Sequence, residues 1–209
     1  MKKLVRLLLA LSVVALLESP ALAGLAVDFT GVTTDISSDT ISFSLGWQFT
    51  TNGPVTIAAL GFYDGDKNGL TQDHDVGIYN AKGELLISTT VLTTDPLVSF
   101  FRMHDIAPIV LPGSESYYIM AVTGTEKYTF FTTGFTVDPS INFIQDEFYP
   151  FNTGVLVFPT NTNGFTAAAG GAFFGPDFST TSVAVPVPAS LILLGSGLVG
   201  LIGMRRRLS

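Results

Sequence analysis

Ten residues constrain the fold of this chain more than any other stretch: Ile41, Phe43, Leu45, Trp47 and Phe49 alternate without a break with Ser42, Ser44, Gly46, Gln48 and Thr50. An extended backbone points successive side chains to opposite sides, so this spacing gathers every large apolar group on one face of a strand, whereas a helix would scatter them around its circumference. A strand with one apolar face requires a second layer to cover it. Further short runs rich in β-branched and aromatic residues follow at 55–63, 76–79, 85–91, 97–103, 117–123 and 128–133, with weaker ones across 141–174. Turn formers separate them: Asn52-Gly53-Pro54, Asn80-Ala81-Lys82-Gly83, Pro112-Gly113 and Asp138-Pro139. No helical period intervenes. The pattern predicts an all-β fold, an antiparallel β-sandwich of jelly-roll type, with the 17 phenylalanines as its natural core material.

The two ends read differently. Lys2, Lys3 and Arg6 precede a leucine-rich run to Leu17, a helix-breaking Pro20 and Ala21-Leu22-Ala23. That is the three-part layout of a secretory signal, with cleavage by signal peptidase expected after Ala23. Near the other end Val185, Pro186, Val187 and Pro188 lead into an apolar run ending at Met204, then Arg205, Arg206 and Arg207. A helix over 189–204 would be about 24 Å long at 1.5 Å per residue. It is short for a hydrocarbon core of about 30 Å, but thinning of the bilayer and snorkelling arginines make up the difference. The three arginines keep that end in the cytoplasm.

The expected division is therefore a signal peptide at 1–23, a sandwich domain at 24–178 and a proline-containing linker at 179–190. A transmembrane helix at 191–204 and a basic tail at 205–209 complete it. Between residues 24 and 182 four basic side chains stand against sixteen acidic ones, a formal charge of −12. Such a surface repels nucleic-acid phosphate and attracts divalent cations. With no cysteine, the chain has no disulfide, no thiolate metal site and no cysteine nucleophile.

The order Val-Pro-Val-Pro, apolar stretch with Gly195-Ser196-Gly197-Leu198, and arginine cluster resembles the PEP-CTERM sorting signal of Gram-negative bacteria. The resemblance implies export, a temporary inner-membrane tether, processing by an exosortase, and a final place at the cell surface or in an extracellular matrix rich in exopolysaccharide. Val187 stands where the name-giving motif has glutamate. In the middle of the chain, residues 59–64, then Asp73-His74-Asp75-Val76-Gly77-Ile78-Tyr79 and Gly83-Glu84-Leu85-Leu86, resemble an uncharacterised bacterial β-sandwich family. That resemblance supports the fold and says nothing about chemistry.

Chemistry has few places to sit. Asp64-Gly65-Asp66-Lys67-Asn68-Gly69, with Asp75 at the twelfth position, matches the opening of a calcium loop, since closely spaced oxygens and a glycine for the turn suit a hard cation. The flanks read as strands, which excludes a helix-loop-helix hand. Asp64, Asp66, Asn68 and Asp75 are the candidate ligands; a solvated hairpin loop uses the same residue types and remains the alternative. His74 and His104 are the two histidines, without a nucleophile elbow in reach. Asp146 and Glu147 are adjacent on one strand, so they point to opposite faces and cannot converge on one glycosidic bond. The expected role is structural or adhesive rather than enzymatic, with calcium-dependent binding of exopolysaccharide as the alternative and a secreted hydrolase ranked last.

Overall fold

The computed structural model describes residues 24–36, 41–166 and 171–181, and they contain strands, turns and no helix. The predicted signal peptide, the membrane helix and the sorting residues Val185 to Pro188 and Arg205 to Arg207 lie outside the described residues. In chain order the strands are β1 (Gly24–Leu25), β2 (Val27–Asp28), β3 (Gly31–Ile36), β4 (Ser44–Thr51), β5 (Val55–Tyr63), β6 (His74–Asn80), β7 (Leu85–Val91) and β8 (Leu97–Val98). They continue as β9 (Phe101–Leu111), β10 (Ser116–Val122), β11 (Tyr128–Thr133), β12 (Thr136–Val137), β13 (Ile141–Tyr149), β14 (Gly171–Phe174) and β15 (Pro176–Thr181).

Two five-stranded sheets, β1-β15-β5-β9-β8 and β13-β4-β10-β6-β7, lie face to face, and every pairing is antiparallel. This is the layering of a β-sandwich. A three-stranded sheet, β14-β11-β3, and the ribbon β12-β2 close it off. The two large sheets meet through aromatic side chains. Trp47 of β4 stacks on Phe178 of β15 with ring centres 5.6 Å apart, and Phe49 lies 4.8 Å from the same phenylalanine. The Trp47 indole N–H donates to the Pro176 carbonyl at 3.0 Å, so the one polar atom of this buried ring is satisfied.

The alternation that opens the argument holds in β4, but its polar face is not bare. Ser44 and Gly46 are buried too: β4 is a central strand, Val157 of the segment after β13 lies over Ser44, and Gly46 abuts Ile119 and Pro176. The Ser44 hydroxyl donates to Val157 O at 2.9 Å, and its oxygen accepts from Val157 N at 3.1 Å. Phe158 packs edge-on against Tyr79 and Tyr118 on the same outer surface.

Two expected boundaries shift in the structure. The run expected to end at Met103 continues as β9 to Leu111, through Pro108. Pro108 falls where the β5–β9 register slips between Ile57 and Ala59, an irregularity in which no ladder hydrogen bond is required of it. The linker expected from residue 179 begins inside a strand: β15 lies between β1 and β5 and runs to Thr181. Pro176 occupies its first position, where the missing N–H does no harm.

Candidate functional site

The loop between β5 and β6 carries the residues that the sequence singled out. Asp64 leaves the end of β5 buried, and its Oδ2 accepts from Arg102 Nε at 2.8 Å and from Gly69 N at 3.1 Å. The turn that follows uses left-handed backbone at Lys67 (φ 59°) and Gly69 (φ 111°), which places Lys67 Nζ 3.8 Å above the Phe100 ring. Asp66 and Asn68 are exposed, and Asp66 lies 3.8 Å from Lys127. Asp75 sits on β6, where the Thr90 hydroxyl donates to it at 2.7 Å, and Asp73 accepts from Thr93 N at 3.0 Å.

Among the described residues no group of three or more His, Asp or Glu side chains is close enough to hold a metal ion. The Arg102 guanidinium supplies, from inside the protein, the positive charge that the buried Asp64 carboxylate needs. Its Nη1 donates to Asp95 O at 3.1 Å, and Asp95 Oδ2 meets His104 Nδ1 at 2.9 Å, so a chain of polar contacts joins the β5–β6 loop to the β7–β8 turn. No signal in the sequence announced Arg102, which is 38 residues from its partner.

His74 is a core residue. Its ring lies flat on Phe62, with centres 3.7 Å apart and planes 2° from parallel. Nδ1 lies 2.9 Å from the Val122 carbonyl and so carries the proton, while Nε2 has no partner. Burial pushes its pKa below the ordinary histidine value, which keeps the ring neutral. Asp146 holds the crossing segment: its carboxylate accepts from Thr162 Oγ1, Asn163 N and Phe165 N. Asp177, which sequence reasoning passed over, is fully buried; Oδ1 accepts from Val27 N at 3.2 Å and Oδ2 is unpaired. Burial raises its pKa well above the ordinary carboxylate range.

One open cleft, of about 120 Å³, is lined by Phe43, Leu45, Tyr128, Phe148 and Phe173. Its walls are almost wholly apolar, so it offers a sugar hydroxyl little to bond. No acid pair, nucleophile–base pair or anion cradle adjoins it among these lining residues.

Fold and site together define an acidic all-β domain of antiparallel sheets with an internally neutralised loop. Residues 30–173 match the family described as Domain of unknown function (DUF4082), and the chain belongs to that family. Residues 184–207 match the PEP-CTERM protein-sorting motif, which marks the chain for export and for processing by an exosortase. No curated protein and no solved structure matches it.

Proposed function

We propose that this protein is an exported structural or adhesive component of the cell surface or extracellular matrix, a non-enzymatic, jelly-roll-like sandwich delivered by its sorting signal. The observation that carries the reading is the joining of a PEP-CTERM motif to a domain in which the buried Asp64, Asp146 and His74 side chains hold loops and strands. Arg102 on Asp64, Phe165 and Asn163 on Asp146, and Val122 on His74 are all positioning contacts. Calcium-dependent capture of exopolysaccharide has less support, because one of the four candidate ligands, Asp64, is already paired with Arg102.

The test is to express the full-length chain in a host with its exosortase and in the same host lacking it, then to fractionate cells and weigh the chain by mass spectrometry. The expected result is surface or released protein that lacks the C-terminal signal in the first host, and membrane-retained full-length protein in the second. An intact chain in the inner membrane of both hosts would overturn the sorting part. Turnover of any member of a polysaccharide and ester panel would overturn the non-enzymatic part.

A further inference from the structure

The two large sheets end differently. The β13 edge is covered by the segment that follows it, with Phe148 bonded to Asn161 and Asp146 N donating to Phe165 O. The other sheet ends on β1, and β1 opens at Gly24, the residue immediately after the expected cleavage site at Ala23. Gly24 pairs with Thr180 of β15, whose hydroxyl lies 3.4 Å from Gly24 O and 2.8 Å from Asp138 Oδ2. A Cβ on Gly24 would stand 3.2 Å from that same Asp138 oxygen. The α-nitrogen is about 2.5 Å from that point, so it lies within about 6 Å of the carboxylate. The neighbouring elements offer only acids: Asp177 on β15, Asp28 on β2 and Asp138 in the turn before β13. The charges of Asp28 and Asp138 reach the buried Asp177 and oppose its ionisation. Among the described residues no lysine, arginine or histidine forms an ion pair with any of the three.

We propose that Asp138 receives the α-ammonium group that removal of the signal peptide creates at Gly24, an ion pair that exists only in the processed chain and that rests on the reading of residues 1–23 as a cleaved secretory signal. Hydrolysis of the Ala23–Gly24 peptide consumes one water and leaves a carboxylate on Ala23 and an amine on Gly24. An ordinary α-amino group has a pKa of about 7.7–8.0, so the new group is a cation at neutral pH where an uncharged amide stood before. Ser140 presents the carboxylate to it: the Ser140 N–H and hydroxyl both donate to Asp138 Oδ1, at 2.8 and 2.6 Å, which leaves Oδ2 to the Thr180 hydroxyl and the ammonium. Chain order fits this role. β1 can pair only once Thr180, 156 residues further on, has been exported, so the bond after Ala23 is open to the peptidase before β1 closes. Closure then brings a positive charge to an acidic corner and adds to the hold of β15 on a strand two residues long.

The test uses the chain expressed full-length in an exporting host and purified in detergent micelles. Its N-terminus is sequenced first. Gly24 is the expected first residue, and any other overturns the signal-peptide reading and the ion pair with it. The α-amine is then titrated by trace acetylation between about pH 6 and 10, with the N-terminal peptide read by mass spectrometry. In the folded chain its pKa should stand above the ordinary value by about half a unit or more, since an opposite charge within about 4–6 Å favours the ammonium. It should return to the ordinary value in urea and in Asp138→Asn. It should stay raised in Asp66→Asn, whose acid lies on the loop at the other end of β5 from the Ile57–Thr180–Gly24 register. By linkage the pair stabilises fully below the unfolded pKa and fades as pH rises through the folded one. The urea comparison needs no variant, so it decides even where Asp138→Asn disturbs the Ser140 turn. A Gly24 terminus with the same pKa folded and unfolded, or a raised pKa that survives Asp138→Asn, would overturn the ion pair while leaving the signal-peptide reading intact.

Discussion

Arg102 Nε lies 2.8 Å from Asp64 Oδ2, and the carboxylate side chain is 1% exposed against 16% for the arginine. The asymmetry sets which partner is the more costly to remove. Arg102→Ala leaves a buried carboxylate with only the Gly69 N–H, at a cost of about 3–5 kcal/mol for breaking such a pair, whereas Asp64→Ala strands a cation that can turn toward water. Urea unfolding of both variants and the double variant should show Arg102→Ala as the less stable single and a coupling between the two sites. Equal small losses without coupling would mean that the pair does not hold the loop.

The same geometry predicts that millimolar calcium leaves the unfolding midpoint where a chelator leaves it, because an ion stabilises only by binding the folded state. A rise abolished by Asp75→Ala would restore the loop as an ion site.

Gly46 is a sharper packing constraint than its place among the polar residues of the alternation suggested. A Cβ there would overlap the Ile119 carbonyl of β10, a backbone atom on a strand paired on both sides. Gly46→Ala should cost about 3 kcal/mol or more, at the upper end of overpacking, while Gly53→Ala, with nothing within 4 Å of the new carbon, should be nearly neutral. The single tryptophan, buried beside Gly46, reports both transitions by its emission.

What the sequence could disclose follows the range of its signals. β5, β7 and β11 appear at the residues where composition and turns placed them, because alternation and turn chemistry are local. Asn80 shows why: its side-chain oxygen accepts from Lys82 N and Glu84 N, closing the β6–β7 turn from within four residues. The N-terminal strands β1 to β3 and the last strand β15 were not legible, since each is short or begins at a proline and is fixed by a distant partner such as Thr180 for Gly24. The loop at 64–75 was found, but the Arg102 partner of Asp64 was not, because it comes from 38 residues away on another strand and no local pattern pairs the two.

Asp146 offers a local test of the covered edge. Its carboxylate anchors Thr162, Asn163 and Phe165, and hydrogen bonds to a charged acceptor contribute about 1.5–3 kcal/mol each where they are well shielded. Asp146→Ala should release the segment, so that limited proteolysis cuts within 160–166 several times faster while the core still unfolds cooperatively. Unchanged cleavage would show that the backbone bonds of Phe148 with Asn161 suffice.

Asp177 should leave a pH signature of opposite sign to that of an ordinary salt-bridged carboxylate. Its pKa is raised by burial, so between about pH 3.9, where the unfolded chain releases the proton, and the higher pH at which the folded chain does, the native state holds more protons. Stability therefore falls as pH rises through that window, by up to about 1.4 kcal/mol per pH unit, and the contribution is fully present only below the unfolded value. His74 works the other way: its lowered pKa makes the unfolded chain the better proton binder below about pH 6.5, so its contribution is lost as pH falls. Asp177→Asn keeps a carbonyl oxygen for Val27 N and removes the titration. The stability of the variant minus that of the wild type, from urea unfolding between pH 4 and 7.5, should climb with pH; a flat difference would mean that Asp177 loses its proton in the folded state at the same pH as in the unfolded chain.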